Sequence, residues 1–150
     1  MSINFKVECD DLTTFKIKID HKKSNLNSKI KEAIEKSTLS IQREARNNLK
    51  NNGSVDTGHL RRSIGRRVGY TEGEVHTSNV KYAIYVEKGT KAHVIRPRRK
   101  KYLYWEGASH PVKKVNHPGT EEKPFLIPAF KKEKPEFIKR IQKLAEFDDD

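Results

Sequence analysis

The chain has 150 residues and carries 32 Lys and Arg against 20 Asp and Glu, a net charge of +12 with histidine neutral. A hydrophobic fraction of 33% and a mean hydropathy of −0.90 predict one domain, 1–150, with a thin core. No apolar stretch is long enough to cross a bilayer or to act as a signal peptide, and a single cysteine, Cys9, excludes an internal disulfide. We therefore expect a protein of a reducing compartment, away from membranes, whose partner is a polyanion or an acidic protein surface.

The first half of the chain shows two different hydrophobic periods. Apolar and polar side chains alternate through 3–9 and 15–19, which predicts an opening β-hairpin over 1–20. From Leu26 to Leu49 the apolar side chains recur every three or four residues, which predicts one long amphipathic helix over 25–50. Ser24 or Asn25 can cap its start, and 51–53, Asn-Asn-Gly, can stop it.

A helical turn and a sheet are predicted next. Leu60 and Ile64 lie four residues apart, which predicts a turn of helix capped by Asp56 or Thr57, with Arg61 and Arg62 pointing outward. Strands over 64–70, 74–77 and 81–87 then predict an antiparallel sheet within 63–88. Alternation gives the third strand two apolar faces, Tyr82, Ile84 and Val86 on one and Ala83, Tyr85 and Glu87 on the other. We expect one face to meet the long helix and the other a second subunit.

The stretch 88–123 is basic and lacks a sustained period, which predicts a long functional loop or arm. Its densest part has five positive charges in six residues, Arg96-Pro97-Arg98-Arg99-Lys100-Lys101, and is followed by Tyr102, Tyr104 and Trp105. Cations beside aromatic rings suit a phosphate backbone, and any DNA contact made this way is expected to be non-specific. The alternative is a solvated loop whose charges meet an acidic protein.

The C-terminal part predicts a second long helix. An apolar stripe from Phe130 to Ala145 predicts a helix over 128–147, with Pro135 as a break or a second start. Asp148, Asp149 and Asp150 are expected to form a solvated tail.

No pattern of residues indicates catalysis, a metal or a cofactor. The acidic residues are scattered, and the nucleophile-elbow, Walker and His-Glu-x-x-His motifs do not occur. His93, His110 and His117 match no zinc spacing and lie among cations. Instead, 117–120 predicts a tight turn anchored by a hydrogen bond to the His117 ring. A metal-dependent nuclease whose acids meet only in space is the enzymatic alternative.

Three segments, in this order, carry a resemblance to a known family. They are Thr57-Gly58-His59-Leu60-Arg61-Arg62-Ser63-Ile64, then Tyr82-Ala83-Ile84-Tyr85-Val86-Glu87-Lys88-Gly89-Thr90, then His117-Pro118-Gly119-Thr120 with Lys123-Pro124-Phe125-Leu126-Ile127-Pro128-Ala129. They resemble the Thr-Gly-x-Leu-Arg-x-Ser-Ile, Tyr-Ala-x-x-x-Glu-x-Gly-Thr and His-Pro-Gly-Thr then Pro-Phe-x-x-Pro-Ala segments of the head-to-tail joining or tail-completion proteins of tailed bacteriophages. The resemblance runs from about Leu26 to the C-terminus and leaves the opening hairpin out.

The resemblance implies an α+β fold in which a long helix packs on an antiparallel sheet, to which the residue patterns add a long basic arm and a C-terminal helix. It implies a non-enzymatic virion protein, from a phage, a prophage or a phage-tail-like particle, that forms a ring at the neck and is assembled in the host cytoplasm. The implied partners are further copies of the chain, the head connector or stopper, and the tail terminator or tail tube, without a membrane or a cofactor. DNA in the channel is a further candidate partner.

Two jobs are expected, one of residues in these segments and one of the basic residues between the second and the third. The 82–87 strand and the anchor Phe125 to Ile127, held between Pro124 and Pro128, are expected to join subunits, and Gly89 to end the strand so that the arm leaves the domain. The positive charges expected to meet DNA or an acidic connector are Arg96, Arg98, Arg99, Lys100, Lys101, Lys113 and Lys114. The alternative function is a free-standing, non-specific nucleic-acid-binding protein, which explains the charge but not the three ordered segments.

Overall fold

A computed structural model of the chain describes residues 4–10, 14–20, 27–54 and 58–146, with side chains over 27–54 and 58–144. Its elements are β1 (Asn4–Asp10), β2 (Thr14–Asp20), α1 (Asn27–Asn51), α2 (His59–Ser63), β3 (Ile64–Val68), β4 (Glu72–Thr77), α3 (Ala83–Lys88), β5 (His93–Ile95), β6 (Val115–His117) and α4 (Leu126–Glu146). The fold is α+β, as the resemblance implied. The predicted caps Ser24, Asn25, Asp56 and Thr57 and the acidic tail 148–150 lie outside the described residues. The N-cap of α2 is Gly58, so the prediction of Asp56 or Thr57 in that position is wrong.

The four-stranded sheet is antiparallel and has the order β1-β2-β4-β3. The opening hairpin, β1 with β2, is joined to the rest of the sheet by pairing of β2 with β4, for example Phe15 opposite Val75. Strand β3 pairs with β4 from Ile64 opposite Thr77 to Val68 opposite Gly73. Helix α1 packs against β3 and β4, which puts the core between the helix and this half of the sheet.

Helices α1 and α4 run antiparallel and bury the core in two clusters. At the start of α1, Ile30 and Ile34 pack with Phe137 and Ile141 near the end of α4. The larger cluster, toward the end of α1, contains Ile41, Ala45, Leu49, Leu60, Ile64, Val75, Val80, Ala83, Phe125, Leu126 and Ala129. Between the helices, Arg140 of α4 donates a hydrogen bond of 2.6 Å to Ser37 Oγ and forms an ion pair with the buried Glu133. Polar contacts therefore supplement a small apolar core.

The predicted strand over 81–87 is wrong, because residues 83–88 form helix α3. Ala83 and Glu87 are both buried, at 0% and 2% exposure, and residues four apart share one face of a helix. A strand would place Tyr85 on that same face, yet Tyr85 is 58% exposed. Tertiary contacts override the local β propensity here, and the four-stranded sheet ends at Thr77 instead of continuing to 88.

Helix α4 begins earlier than predicted, at Leu126, and passes through Pro135 without the predicted break. A proline inside a helix costs about 3 kcal/mol through the lost hydrogen bond and the steric clash. Pro135 is exposed, while Ala129 on one side of it and Phe137 on the other are buried against α1 or its neighbours. Packing on both sides thus holds the two halves as one helix.

Candidate assembly surface and basic arm

The buried carboxylate of Glu87 joins the second and third motif segments. Its Oε2 accepts hydrogen bonds from the backbone N–H of Phe125 at 2.9 Å and of Leu126 at 3.0 Å. Its Oε1 accepts one from the N–H of Ile127 at 2.9 Å. The first turn of a helix leaves such N–H groups unpaired, and its dipole favours a negative charge. Glu87 on α3 therefore caps α4, a role that the motif alone did not reveal.

A second link between these segments is formed by Thr90 and Thr120. Their backbones exchange two N–H to O hydrogen bonds of 2.9 and 3.0 Å, and their hydroxyls lie 3.0 Å apart. The preceding glycines have φ of +67° at Gly89 and +95° at Gly119. A Cβ on either glycine would overlap the carbonyl oxygen of the threonine on the opposite strand. We call these two Gly-Thr pairs the clasp, and its close backbone approach requires both glycines.

The predicted hydrogen bond to the His117 ring is present, but the predicted tight turn at 117–120 is not, because His117 ends strand β6 and Thr120 pairs with Thr90. The N–H of Gly119 donates a hydrogen bond of 3.0 Å to Nδ1 of His117, and this ring stacks on His93 at 5.1 Å between centroids. Gly89 ends its element as predicted, although that element is a helix and not a strand.

The end of helix α1 fixes the chain that enters α4. Asn48 Nδ2 donates to the carbonyl of Phe125 at 2.9 Å, and Asn52 Nδ2 donates to that of Lys123 at 3.1 Å. The N–H of Lys123 donates to the carbonyl of Val86 at 2.9 Å. Sequence reasoning missed both contacts, because Asn48 looks like an ordinary residue of a polar helix face and Asn52 was expected only to help stop the helix.

The first motif segment also serves the fold. Gly58 has φ of +72° at the start of α2, Leu60 is buried in the core, and Ser63 Oγ donates to the carbonyl of Leu60 at 2.7 Å. Arg61 and Arg62 are exposed, as predicted. Thr57 lies outside the described residues.

Phe125 and Leu126 lie in the core of their own chain, both at 0% exposure. This corrects the expectation that Phe125 to Ile127 form an anchor between subunits. Ile127 is half-buried against the same core, and only the flanking Pro124 and Pro128 are exposed.

Exposed aromatic surface remains on helix α3. Tyr82 is 46% exposed and Tyr85 58% exposed. Tyr85 lines a shallow cavity of about 600 Å³ toward Ile95 and His117, and another of about 480 Å³ toward Val86 and Lys123. We call Tyr82, Tyr85 and these two cavities the α3 patch. Within the two faces predicted to be apolar for this segment, Tyr82 and Tyr85 are exposed, Ile84 and Val86 are half-buried, and Ala83 and Glu87 are buried.

The predicted unstructured loop is wrong in part, because the chain between the two halves of the clasp forms a projecting β-hairpin. Strand β5 pairs with β6 from His93 opposite His117 to Ile95 opposite Val115, and Leu103 pairs with Val112 farther out. We call residues 91–119 the arm. The arm contributes no residue to either core cluster, and all three residues of β5 are exposed.

The positive charges of the arm converge between two of its cross-strand pairs. Ile95 opposite Val115 closes one side and Leu103 opposite Val112 the other. Seven cations lie between them, all exposed: Arg96, Arg98, Arg99, Lys100 and Lys101 on the outgoing strand, and Lys113 and Lys114 on the returning strand. None of the seven forms an ion pair with another residue in the part of the chain described. Tyr102, Tyr104 and Trp105 beside them are 47%, 69% and 50% exposed.

The described residues show neither a metal site nor a membrane-spanning helix. Within 4–10, 14–20, 27–54 and 58–146, no three His, Cys, Asp or Glu side chains are placed to hold a metal ion. Among the helices described, none combines the length and the apolar character needed to span a membrane.

Comparison with known families gives one match. Residues 17–89 match a family model described as "HK97-gp10_like: Bacteriophage HK97-gp10, putative tail-component". The matched range contains the first motif segment and the second up to Gly89, and it begins within β2, earlier than the motifs suggested, while the third segment lies beyond it. No curated protein and no solved structure matched the chain. The resemblance drawn from the motif segments is thus confirmed, and over residues 17–89 this chain matches the HK97-gp10-like family of phage tail components.

Proposed function

We propose that this protein is a structural component of a phage tail that joins the tail to the head connector as a ring at the neck. The match over residues 17–89 carries the proposal, because the family is described as a tail component. It supports a non-enzymatic role in the virion, in contact with other virion proteins. The hydrogen bonds that Glu87 accepts and the clasp tie the third motif segment to the matched part.

The α3 patch is the proposed contact between subunits. Exposed aromatic side chains beside shallow cavities are typical of protein interfaces, where a few buried rings supply most of the binding energy. A ring is built from a heterologous contact, in which one surface of each copy meets a different surface of the next. In this proposal the α3 patch is one of those two surfaces, and its position is fixed by Glu87 and the clasp.

Tyr85→Asp tests the neck role in a producing phage or prophage. A charge at this exposed position leaves the core untouched and opposes burial against a neighbour. We expect heads and tails to accumulate unjoined in electron micrographs, with the variant protein folded by circular dichroism. Tyr70→Asp is the matched control, since Tyr70 is 68% exposed in the turn between β3 and β4. Normal yields of tailed particles from Tyr85→Asp would overturn the α3 patch as the subunit contact.

A free-standing nucleic-acid-binding protein is the second candidate, favoured by the seven arm cations, for which the described part of the chain offers no ion pair. Mass spectrometry of purified particles separates the two candidates. A stoichiometric amount of the protein in tailed particles supports the neck component, whereas its absence from particles and recovery with cellular nucleic acid supports the alternative.

A further inference from the structure

We propose that the arm binds the backbone of duplex DNA without sequence specificity, through the seven cations between its two outer cross-strand pairs. The inference rests on the proposed neck role only for where the protein would meet DNA. Binding itself is a property of the purified chain and is measured there.

The hairpin concentrates charge more than the sequence suggests. On the returning strand only Lys113 and Lys114 separate Val112 from Val115. On the outgoing strand seven residues, 96–102, separate Ile95, the partner of Val115, from Leu103, the partner of Val112. The basic run is therefore an outward bulge opposite the two lysines. At roughly 3.3 Å per residue, Val112 to Val115 spans about 10 Å at most, so the basic run leaves and rejoins the hairpin within about that length, opposite the two lysines.

This density matches duplex DNA better than an acidic protein surface. Duplex DNA carries one negative charge per roughly 1.7 Å of its axis, or about six phosphates over the same 10 Å. A protein surface would need a similar number of carboxylates in that space, at the cost of strong self-repulsion. The arm offers almost no internal compensation, because Glu106 is the only acidic residue in 91–119. Hence the charge density of the arm favours the phosphate backbone of duplex DNA over an acidic protein surface.

The first test is the salt dependence of binding to a labelled 30-base-pair duplex, followed by fluorescence anisotropy. Each phosphate neutralised contributes about −0.9 to the slope of log K against log salt, so engagement of the whole cluster predicts a slope near −6. Affinity should then fall about 10³- to 10⁴-fold between 50 and 200 mM salt. A slope shallower than about −2 would overturn the proposal, since fewer than three phosphates would be neutralised.

Two quadruple variants distinguish binding by the arm from binding that depends only on the net charge of the protein. Changing Arg98, Arg99, Lys100 and Lys101 to Gln should make the slope about 3.6 units shallower, at about 0.9 per contact. The matched control changes four exposed lysines of α1 and α4 to Gln, Lys29, Lys50, Lys131 and Lys134. It removes the same charge and should leave the slope unchanged. Equal losses from the two quadruple variants would overturn the proposal in favour of net charge alone.

A third variant tests the convergence of the two strands. Lys113→Gln with Lys114→Gln should make the slope about 1.8 units shallower, because the hairpin brings these lysines to the basic run. No change in slope would exclude them from the site and overturn the bulge arrangement.

A competitor and an internal reporter identify the ligand. Trp105 is the only tryptophan in the chain, so a change of its fluorescence on adding duplex reports contact at the arm itself. Displacement of the duplex by poly-aspartate at equal charge concentration would overturn DNA in favour of an acidic protein. Tyr85→Asp should bind duplex normally, so loss of particle joining and loss of DNA binding are separable failures.

Discussion

The body of the protein and its arm differ in the pairing of their cations. Lysines on the helices of the body include some that lie beside carboxylates, whereas the seven cations of the arm do not in the part of the chain described. In the body, Lys36 lies 2.6 Å from Glu32, and its hydrogen bond and charge lower the pKa of that carboxyl group. Lys139 does the same for Glu136 at 2.9 Å. In the arm, seven cations lie together without a carboxylate partner among the described residues. Lys36 and Lys139 thus have carboxylate neighbours on their own helices, whereas the seven cations of the arm have none among the described residues.

The boundary between body and arm is formed by Glu87 and the clasp. Glu87 lies just before the arm and bonds to the backbone just after it, and the clasp closes the base of the hairpin between them. The body therefore fixes where the arm starts and returns. Substitution of Glu87 should therefore lower the stability of the body, whereas substitution of Gly119 in the clasp should act locally at the base of the arm.

The largest effect is expected from Glu87→Ala. The change leaves the N–H groups of Phe125, Leu126 and Ile127 without their acceptor, two of them in a buried setting. Losing charge-assisted hydrogen bonds and leaving buried donors unpaired should lower the free energy of unfolding by about 3–5 kcal/mol. Urea unfolding followed by far-UV circular dichroism measures it.

Glu87→Gln is the matched control for this prediction. The amide keeps the shape and one acceptor oxygen but loses the charge, so we expect roughly half of the loss. A decrease below about 1 kcal/mol for Glu87→Ala would contradict the capping role, because one ordinary hydrogen bond already contributes that much.

A smaller, local effect is expected from Gly119→Ala. The new Cβ would overlap the carbonyl oxygen of Thr90 at a backbone φ of +95°, so the clasp must shift or open. Such strain costs about 2 kcal/mol, which corresponds to roughly 30-fold more opening. Hydrogen exchange of the Thr90 and Thr120 amides should therefore accelerate by this factor, while amides of α1 keep their protection.

Gly107→Ala at the arm tip controls for glycine replacement as such. Gly107 also has a positive φ, +88°, but an added Cβ meets nothing within 4 Å. It should leave the Thr90 and Thr120 amides protected. Unchanged exchange in Gly119→Ala would show that the clasp does not depend on this glycine.

The body was largely predictable because its elements have long, regular patterns. The long helix was predicted over 25–50 and is found at Asn27–Asn51, and both strands of the opening hairpin are present. The prediction for 81–87 was wrong because the alternation of its side chains favours a strand. In the structure Ala83 and Glu87 are buried while Tyr85 between them is exposed, a pattern that fits a helix and not a strand. The spacing of four was visible in the sequence, but nothing local indicated that a carboxylate would be buried there.

The composition of the arm predicted a cationic segment, but its hairpin structure was not predictable from the sequence. Its strands are only three residues long, and Val94 pairs with Asn116 across a long loop, so no local period signals them. For the same reason the meeting of Lys113 and Lys114 with the basic run follows only from the cross-strand pairs. Residue types thus identified the cationic segment, and pairing determined its charge density.

The smallest effect on the body is expected from removing most of the arm. Replacing residues 96–114 by Asn-Gly joins the paired residues Ile95 and Val115 through a two-residue turn that suits a hairpin. Because neither core cluster contains an arm residue, the free energy of unfolding should change by less than about 1 kcal/mol, measured by far-UV circular dichroism in urea. Duplex binding should be lost from the same variant. A decrease above about 2 kcal/mol would contradict the separation of the two regions, since a loss of that size requires buried contacts between arm and body.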